Sequence, residues 1–371
     1  MMRRIKKGSA ILLAAALVFS ALALPKAYAA VGVETDRTDC KITINVPAEG
    51  FKELKNLSIP VELYKVADIG VGAEYTLTTD FDTAKLEGIE SVNSTTTTEA
   101  WTTFAEEAKK IVDDRKEAGT SLATAKTGTI NSGTVTIEGI SVGLYLVDVQ
   151  TTPSSTYEYS FIPYLISLPN NYYKEGVTGT TDEWVYELTG SNALGLKPQK
   201  ADRYGDLEIN KTLDVYNATV GGATFVFQVE AIKTDVDTNE TKNVYSNVVS
   251  LTFNGPGTES VLIQDLPAGA VVTVTEIYSG AGYKLSSART QTVTIIAKEE
   301  SEVEQLSETT VQGSPVEVSF LNTYDEGMNG GSGVVNSFSY AEGEWTWQQK
   351  TESTVENAKP NLAPVISGTQ Q

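Results

Sequence analysis

The chain has 371 residues, with 28 Lys and Arg against 48 Asp and Glu, no histidine and a formal net charge of −20. That acidity argues against nucleic acid and anionic membrane surfaces as partners. With no histidine, no GxSxG elbow, no phosphate-binding loop, no metal-ligand cluster and no identifiable glycosidase carboxylate pair, neither a turnover enzyme nor a cofactor is expected.

Residues 1–29 have the pattern of an export signal. Arg3, Arg4, Lys6 and Lys7 precede an apolar run from Ala10 to Leu24, and Ala27-Tyr28-Ala29 supplies the cleavage motif. The apolar run is too short and wrongly flanked for a membrane span. Cleavage before Ala30 removes five basic residues and no acid, taking the net charge from −20 to −25. The remainder is long enough for two core-bearing domains. Its sole cysteine, Cys40, excludes an internal disulfide, so an exported strand-rich chain must find another staple. Cys40 follows polar DRTD, well beyond the cleavage site, and reads as a buried or edge-strand thiol rather than a lipid anchor or thioester.

From residue 30 to 200 the pattern is strands with one helix. CKITINV, SIPVELYKVADI, GTVTIEGI, GLYLVDVQ, YSFIPYLISLP and EWVYELT are rich in β-branched and aromatic residues and bounded by Gly, Pro, Asn and Ser. Trp101, Phe104, Ala105, Ala108, Ile111 and Val112 recur at helical spacing, and Gly119 offers a stop. An apolar stripe at that spacing is core, and the helix is expected to cover one end of a sandwich. SNALGLKPQKADRYG then marks a domain boundary.

Residues 201–325 read as an antiparallel sandwich: ATFVFQVEAI, NVVSLTF, ESVLIQDL, VVTVTEI, QTVTIIA and VEVSFLNTY, with turns at NGPG, LPAG and SGAG. The fold class is therefore all-β, in the form of tandem immunoglobulin-like sandwiches, the first with a helical insertion. Residues 326–371 comprise a glycine-rich tether and a tail in which the alternating aromatics of NSFSYAEGEWTWQQ predict a short hairpin.

Three polar residues of the second sandwich occupy apolar positions. Leu207, Ile209 and Lys211 share a parity, as do Val272, Val274 and Glu276, and Val318, Phe320 and Asn322. Since strand side chains alternate between faces, all three continue an inward row. Isolated buried charges cost more than a small domain can spare, so these groups must be neutral, paired or chemically consumed. Desolvation favours a neutral amine beside a neutral acid. The amine can then attack the carboxamide carbon of Asn322 while Glu276 moves protons, joining two side chains as ammonia leaves.

INKT, VTVTE followed by GY, and FLNTY together resemble the collagen-adhesin B-type domain of Gram-positive surface proteins and sortase-assembled pilins. The resemblance implies that Lys211 and Asn322 are an intramolecular isopeptide pair and Glu276 its catalyst. VELYKVADI and YSFIPYLISLP resemble the N-terminal domain of Gram-positive pilins. Laid on the second half as a diverged repeat, the first has Val46 in place of Lys211, Val149 in place of Glu276 and Leu188 near the asparagine position, so only the second domain is expected to be cross-linked. Alternation sends Asp148 to the opposite face.

In shaft pilins the lysine joined to the next subunit lies near the end of the N-terminal domain, making Lys197 or Lys200 its counterpart here. The motif departs from the YPKN-like pattern, and both are also readable as solvated linker lysines. NLAPVISGTQQ has no LPxTG, so the chain is expected either to be truncated or to be held without its own sorting signal. The leading expectation is a secreted structural protein of the cell wall or pilus, with other pilus or surface-protein subunits and a sortase as partners. The alternative is an adhesin for host matrix or glycans, using the tyrosines of YEYS and NNYYKEG with Trp184, Trp345 and Trp347.

Overall fold

The computed structural model describes residues 32–93, 95–170, 184–219, 221–280, 282–298, 314–325, 334–341 and 344–351. The export signal, Tyr172, Tyr173, the tether at 326–333 and the tail beyond 351 lie outside the described residues. Among the described residues the fold is all-β with one α-helix. It divides into two compact units, Met1–Asp202 with Val236–Thr238, and Arg203–Asp235 with Asn239–Gln371.

The first unit contains β1 (Cys40–Asn45), β2 (Ile59–Ile69), β3 (Tyr75–Leu77), α1 (Thr98–Glu117), β4 (Lys126–Ile130), β5 (Thr134–Ile140), β6 (Gly143–Val149), β7 (Thr152–Pro153), β8 (Tyr157–Phe161), β9 (Tyr164–Leu168), β10 (Glu187–Leu188), β11 (Leu194–Gly195) and β12 (Pro198–Asp202). One sheet runs β3-β2-β6-β9 with β4 also on β2. In a second, β1 pairs with β5 on one side and runs parallel to β10 and β11; a third is β12-β8-β7. YSFIPYLISLP is thus two strands in different sheets, β8 and β9, interrupted at Ile162-Pro163, where proline can donate no ladder hydrogen bond.

Helix α1 begins where Thr97 Oγ1 accepts from the Ala100 amide at 3.2 Å, and Gly119 follows its end at φ +67°. It buries Ala105, Ala108 and Val112. Rather than covering an end of a sandwich, it lies against β6 and β9. Every residue of β6 is consequently buried, on both faces. Asp148 is the acidic residue of β6, and its carboxylate meets Lys116 at 3.4 Å and Lys109 at 3.5 Å. Cys40 is buried on β1, and burial pushes its thiol up to about 11.

The second unit contains β13 (Tyr204–Leu213), β14 (Ala223–Thr234), β15 (Thr241–Phe253), β16 (Gly257–Pro267), β17 (Val271–Tyr278), β18 (Tyr283–Leu285), β19 (Thr290–Thr294) and β20 (Val316–Tyr324), followed by the hairpin β21 (Val334–Ala341) and β22 (Glu344–Thr351). Two four-stranded sheets, β16-β13-β20-β18 and β15-β14-β17-β19, enclose one apolar core. Leu207 and Ile209 of β13 and Val318 and Phe320 of β20 meet Phe225, Phe227 and Val229 of β14 and Val272 and Val274 of β17 there. First and last strands of the sandwich are neighbours: β13 and β20 run parallel, with Lys211 opposite Phe320 and Leu213 opposite Asn322.

Candidate functional site

Lys211, Glu276 and Asn322 come together inside the second sandwich. Each has 0% relative exposure. Lys211 and Asn322 project from adjacent strands of one sheet, two residues apart in register, and Glu276 reaches them from β17 in the opposing sheet. The alternation that fills the core with Leu207, Ile209, Val272, Val274, Val318 and Phe320 therefore delivers the polar group at the end of each row to one place.

The glutamate holds both partners. Lys211 Nζ donates to Glu276 Oε2 at 2.9 Å, and Asn322 Nδ2 donates to Glu276 Oε1 at 2.6 Å and to the Ser279 carbonyl at 3.4 Å. Asn322 Oδ1 is buried without a hydrogen-bond donor. The face of the Phe225 ring lies 4.6 Å from Lys211 Nζ, and Phe227 and Phe320 pack together with ring centroids 5.0 Å apart. Burial lowers the Lys211 pKa below the usual lysine range, against the opposing pull of Glu276. A nitrogen faces each oxygen of a single buried carboxyl group. The aromatic walls and Ser279 were not singled out in the sequence. The phenylalanines lie on the inward parity of their strands, whereas nothing marks a backbone carbonyl in advance.

In the first unit Val46 and Val149 are buried apolar residues. Leu188 does not stand at the asparagine level, since it pairs with Ile42; the residue beside the end of β1 is Leu196, whose amide donates to the Asn45 carbonyl at 3.0 Å. The stretch read as a boundary linker carries β11 and β12. Lys200 is accordingly a strand residue rather than a solvated one: within the first unit its Nζ meets Asp237 Oδ2 at 2.7 Å and lies 4.7 Å from the Tyr157 ring. Lys197 is half-buried, and burial lowers its pKa. The YEYS tyrosines offer no contact surface: Tyr157 and Tyr159 are 5% and 0% exposed, and the Tyr159 hydroxyl donates to Glu53 at 2.8 Å. Trp184 is half-buried against the first core, and Trp345 and Trp347 stand opposite Tyr340 and Phe338 in the β21–β22 ladder.

Fold and cluster define the second unit as an immunoglobulin-like β-sandwich with a buried lysine–glutamate–asparagine site. A family described as a domain of unknown function (DUF5979) matches residues 207–325, a span that contains all three residues. No curated protein matches the chain. Similar solved structures include the TIE protein of Bacillus anthracis, at 12% identity and a TM-score of 0.29, covering 85% of this chain and 44% of that one. The chain thus spans less than half the length of that protein. The minor pilin GBS52 of Streptococcus agalactiae is similar at 12% identity and a TM-score of 0.21, with 77% and 96% covered. A Mobiluncus mulieris adhesin containing intramolecular disulfide, isopeptide and ester cross-links is similar at 13% identity and a TM-score of 0.23, with 79% and 87% covered. At these scores the likenesses carry no functional argument, which must come from the site itself.

Proposed function

We propose that Lys211 and Asn322 are joined by an isopeptide bond formed with the help of Glu276, and that the chain is a structural cell-surface protein, a pilin-like subunit built to carry load. The observation that carries this reading is the placement of both oxygens of one buried carboxyl group against the two nitrogens that must exchange protons. Transfer of a proton from Lys211 to Glu276 Oε2 removes both charges from the core and frees the amine lone pair. The amine attacks Asn322 Cγ; the carbon–nitrogen bond to Nδ2 breaks, and the Glu276 carboxyl group, whose Oε1 lies 2.6 Å from Nδ2, returns its proton to the departing nitrogen and takes up the second proton of the amine. Lys211 sheds two protons in all. One leaves in the ammonia and the other stays on Glu276, so the site ends without charge.

The product ties the first strand of the sandwich to the last across the 111 residue steps between positions 211 and 322. Tension along the chain would then pass through a covalent bond rather than the β13–β20 ladder. Such a staple suits an exported protein whose single thiol cannot pair internally. In this reading Lys197 or Lys200 accepts the next subunit from a sortase, and the surface location follows from the export signal. The adhesin alternative loses the support of Tyr157 and Tyr159.

The test is the intact mass of the exported protein under denaturing conditions. The expected deficit is one ammonia, with the peptides carrying Lys211 and Asn322 recovered as a single branched species. A mass equal to that of the unmodified chain would refute the bond.

A further inference from the structure

The second unit carries a pair of strands outside its sandwich. β21 and β22 hydrogen-bond to each other and join neither four-stranded sheet, and the domain-family match ends at residue 325, before they begin. An isolated two-stranded hairpin is at best marginal in water, so this one requires a surface to rest on. The backbone identifies that surface. β22 comes within 8 Å of β15, and β21 within 8 Å of β17, Cα to Cα. Because β15 and β17 flank β14, the hairpin straddles the middle of the sheet.

Burial on β14 agrees. Phe225, Phe227, Val229 and Ala231 fill the sandwich core, so by alternation Val226, Gln228, Glu230 and Ile232 form the outward row. An uncovered outer face would leave that row open along its length. Instead Gln228, at its middle, is 5% exposed, whereas Ile232 towards its end is 46% exposed. Gln228 donates to Glu230 at 2.6 Å along the same row. The backbone register of the hairpin sets Phe338 opposite Trp347 and Tyr340 opposite Trp345.

We propose that the outer face of the β15-β14-β17-β19 sheet, centred on Gln228, is a docking face whose occupant is the chain's own C-terminal hairpin, bound in cis. The eight residues 326–333 that join Asp325 to Val334 reach up to ~30 Å when extended, enough to lay the hairpin back on its own sheet. The docking is independent of the isopeptide site, because Gln228 faces away from the core that holds Glu276.

Hydrogen exchange across residues 334–351 of the full exported chain tests this. The expected result is exchange at least about tenfold slower than in a synthetic peptide of that sequence, unchanged when the protein is diluted. Gln228→Arg puts a charge under the hairpin and should abolish the protection while β13 and β20 stay protected. Glu230→Lys, on the same row, should do likewise, and Thr292→Arg, exposed on β19 beyond the hairpin, should leave it intact. Free-peptide exchange rates in the wild type, or protection indifferent to both Gln228→Arg and Glu230→Lys, would overturn the proposal. Protection that increases with protein concentration would give the face to the hairpin of a second copy and overturn the assignment in cis.

Discussion

Replacing Asn322 with alanine removes the electrophile while leaving the Lys211–Glu276 ion pair in place, and so isolates the worth of the bond. A cross-link closing a loop of ~100 residues restrains the unfolded chain by about 4.7 kcal/mol. For a unit of this size that is a loss on the order of 15–20 °C in melting temperature. Lys211→Ala should be worse, because it also leaves Glu276 buried without its cation, a further cost of about 3–5 kcal/mol. Together these approach the whole stability of an ordinary domain, about 5–15 kcal/mol, so Lys211→Ala is expected to abolish cooperative melting of the second unit. The double variant Lys211→Met/Glu276→Met strands no charge and should return to the level of Asn322→Ala. Scanning calorimetry paired with intact mass reads all four proteins. The reasoning is refuted if Asn322→Ala melts with the wild type, or if Lys211→Ala proves no worse than Asn322→Ala.

The same variant makes the lysine visible to pH. In Asn322→Ala the Lys211 amine persists with a folded-state pKa lowered by burial from 10.5, so the unfolded chain binds more protons between the two values. The variant's urea midpoint should therefore rise as pH climbs from the depressed value towards 10.5, a lysine contribution that the wild type lacks because its amine is consumed; parallel profiles would count against it. The first unit, with Val46 and Val149 where a cross-link would need lysine and glutamate, should open first under protease. The resistant fragment is expected to begin close to Arg203, and early cleavage inside the second sandwich would contradict this.

The site was legible because it obeys a period of two. Lys211, Glu276 and Asn322 each extend an apolar row, and the row's direction carries over to its last member whatever its chemistry. The strands of the second sandwich were legible for the same reason. What failed was reading irregular pieces as if they were uniform. β10, β11 and β12 are two to five residues long and contain Gly, Pro and charge, the composition of a linker, yet their backbones are paired by β1 and β8. Tyr157 and Tyr159 look like contact residues because tyrosine is amphipathic; only the structure reveals Glu53 beneath the Tyr159 hydroxyl. The helix was plain from its spacing, but spacing gives the apolar stripe and not the surface it meets. Asp148 was the available clue, an acid on the far face of a strand with basic residues at Lys109 and Lys116 to receive it.

That second cluster shows why lysine beside carboxylate is not enough for a bond. Lys116 Nζ lies 2.7 Å from Glu62, slightly nearer than Lys211 lies to Glu276. Its side chain, however, is 32% exposed against 0% for Lys211. Burial tends to lower the Lys116 pKa too, but the hydrogen bond it donates to Glu62 and the charge of Asp148 outweigh it and raise the value above the usual lysine range. A carboxamide is at hand, since Gln150 Nε2 donates to Asp148 at 2.9 Å and to Glu62 at 3.4 Å, but a protonated amine has no lone pair with which to attack it. Lys109 and Lys116 should thus be recovered unmodified in a peptide map, and an adduct to Asp148 would show that burial is not what selects the reactive lysine. The cluster is a clamp instead, and its pH response has a definite sign. Burial works against the Glu62 carboxylate, but hydrogen bonds from Lys116 and Tyr64 prevail and hold its pKa below the usual range, so its contribution is present above the ordinary carboxylate value and lost as pH falls through the depressed one. Lys116, with its raised value, contributes fully below 10.5 and loses that contribution only as pH rises through the folded value. Acid should therefore loosen α1 through Glu62, accelerating amide exchange between Thr98 and Glu117 before the second sandwich responds. If exchange in α1 is indifferent to acid, or if both units loosen together, the clamp is not what holds the helix to β6.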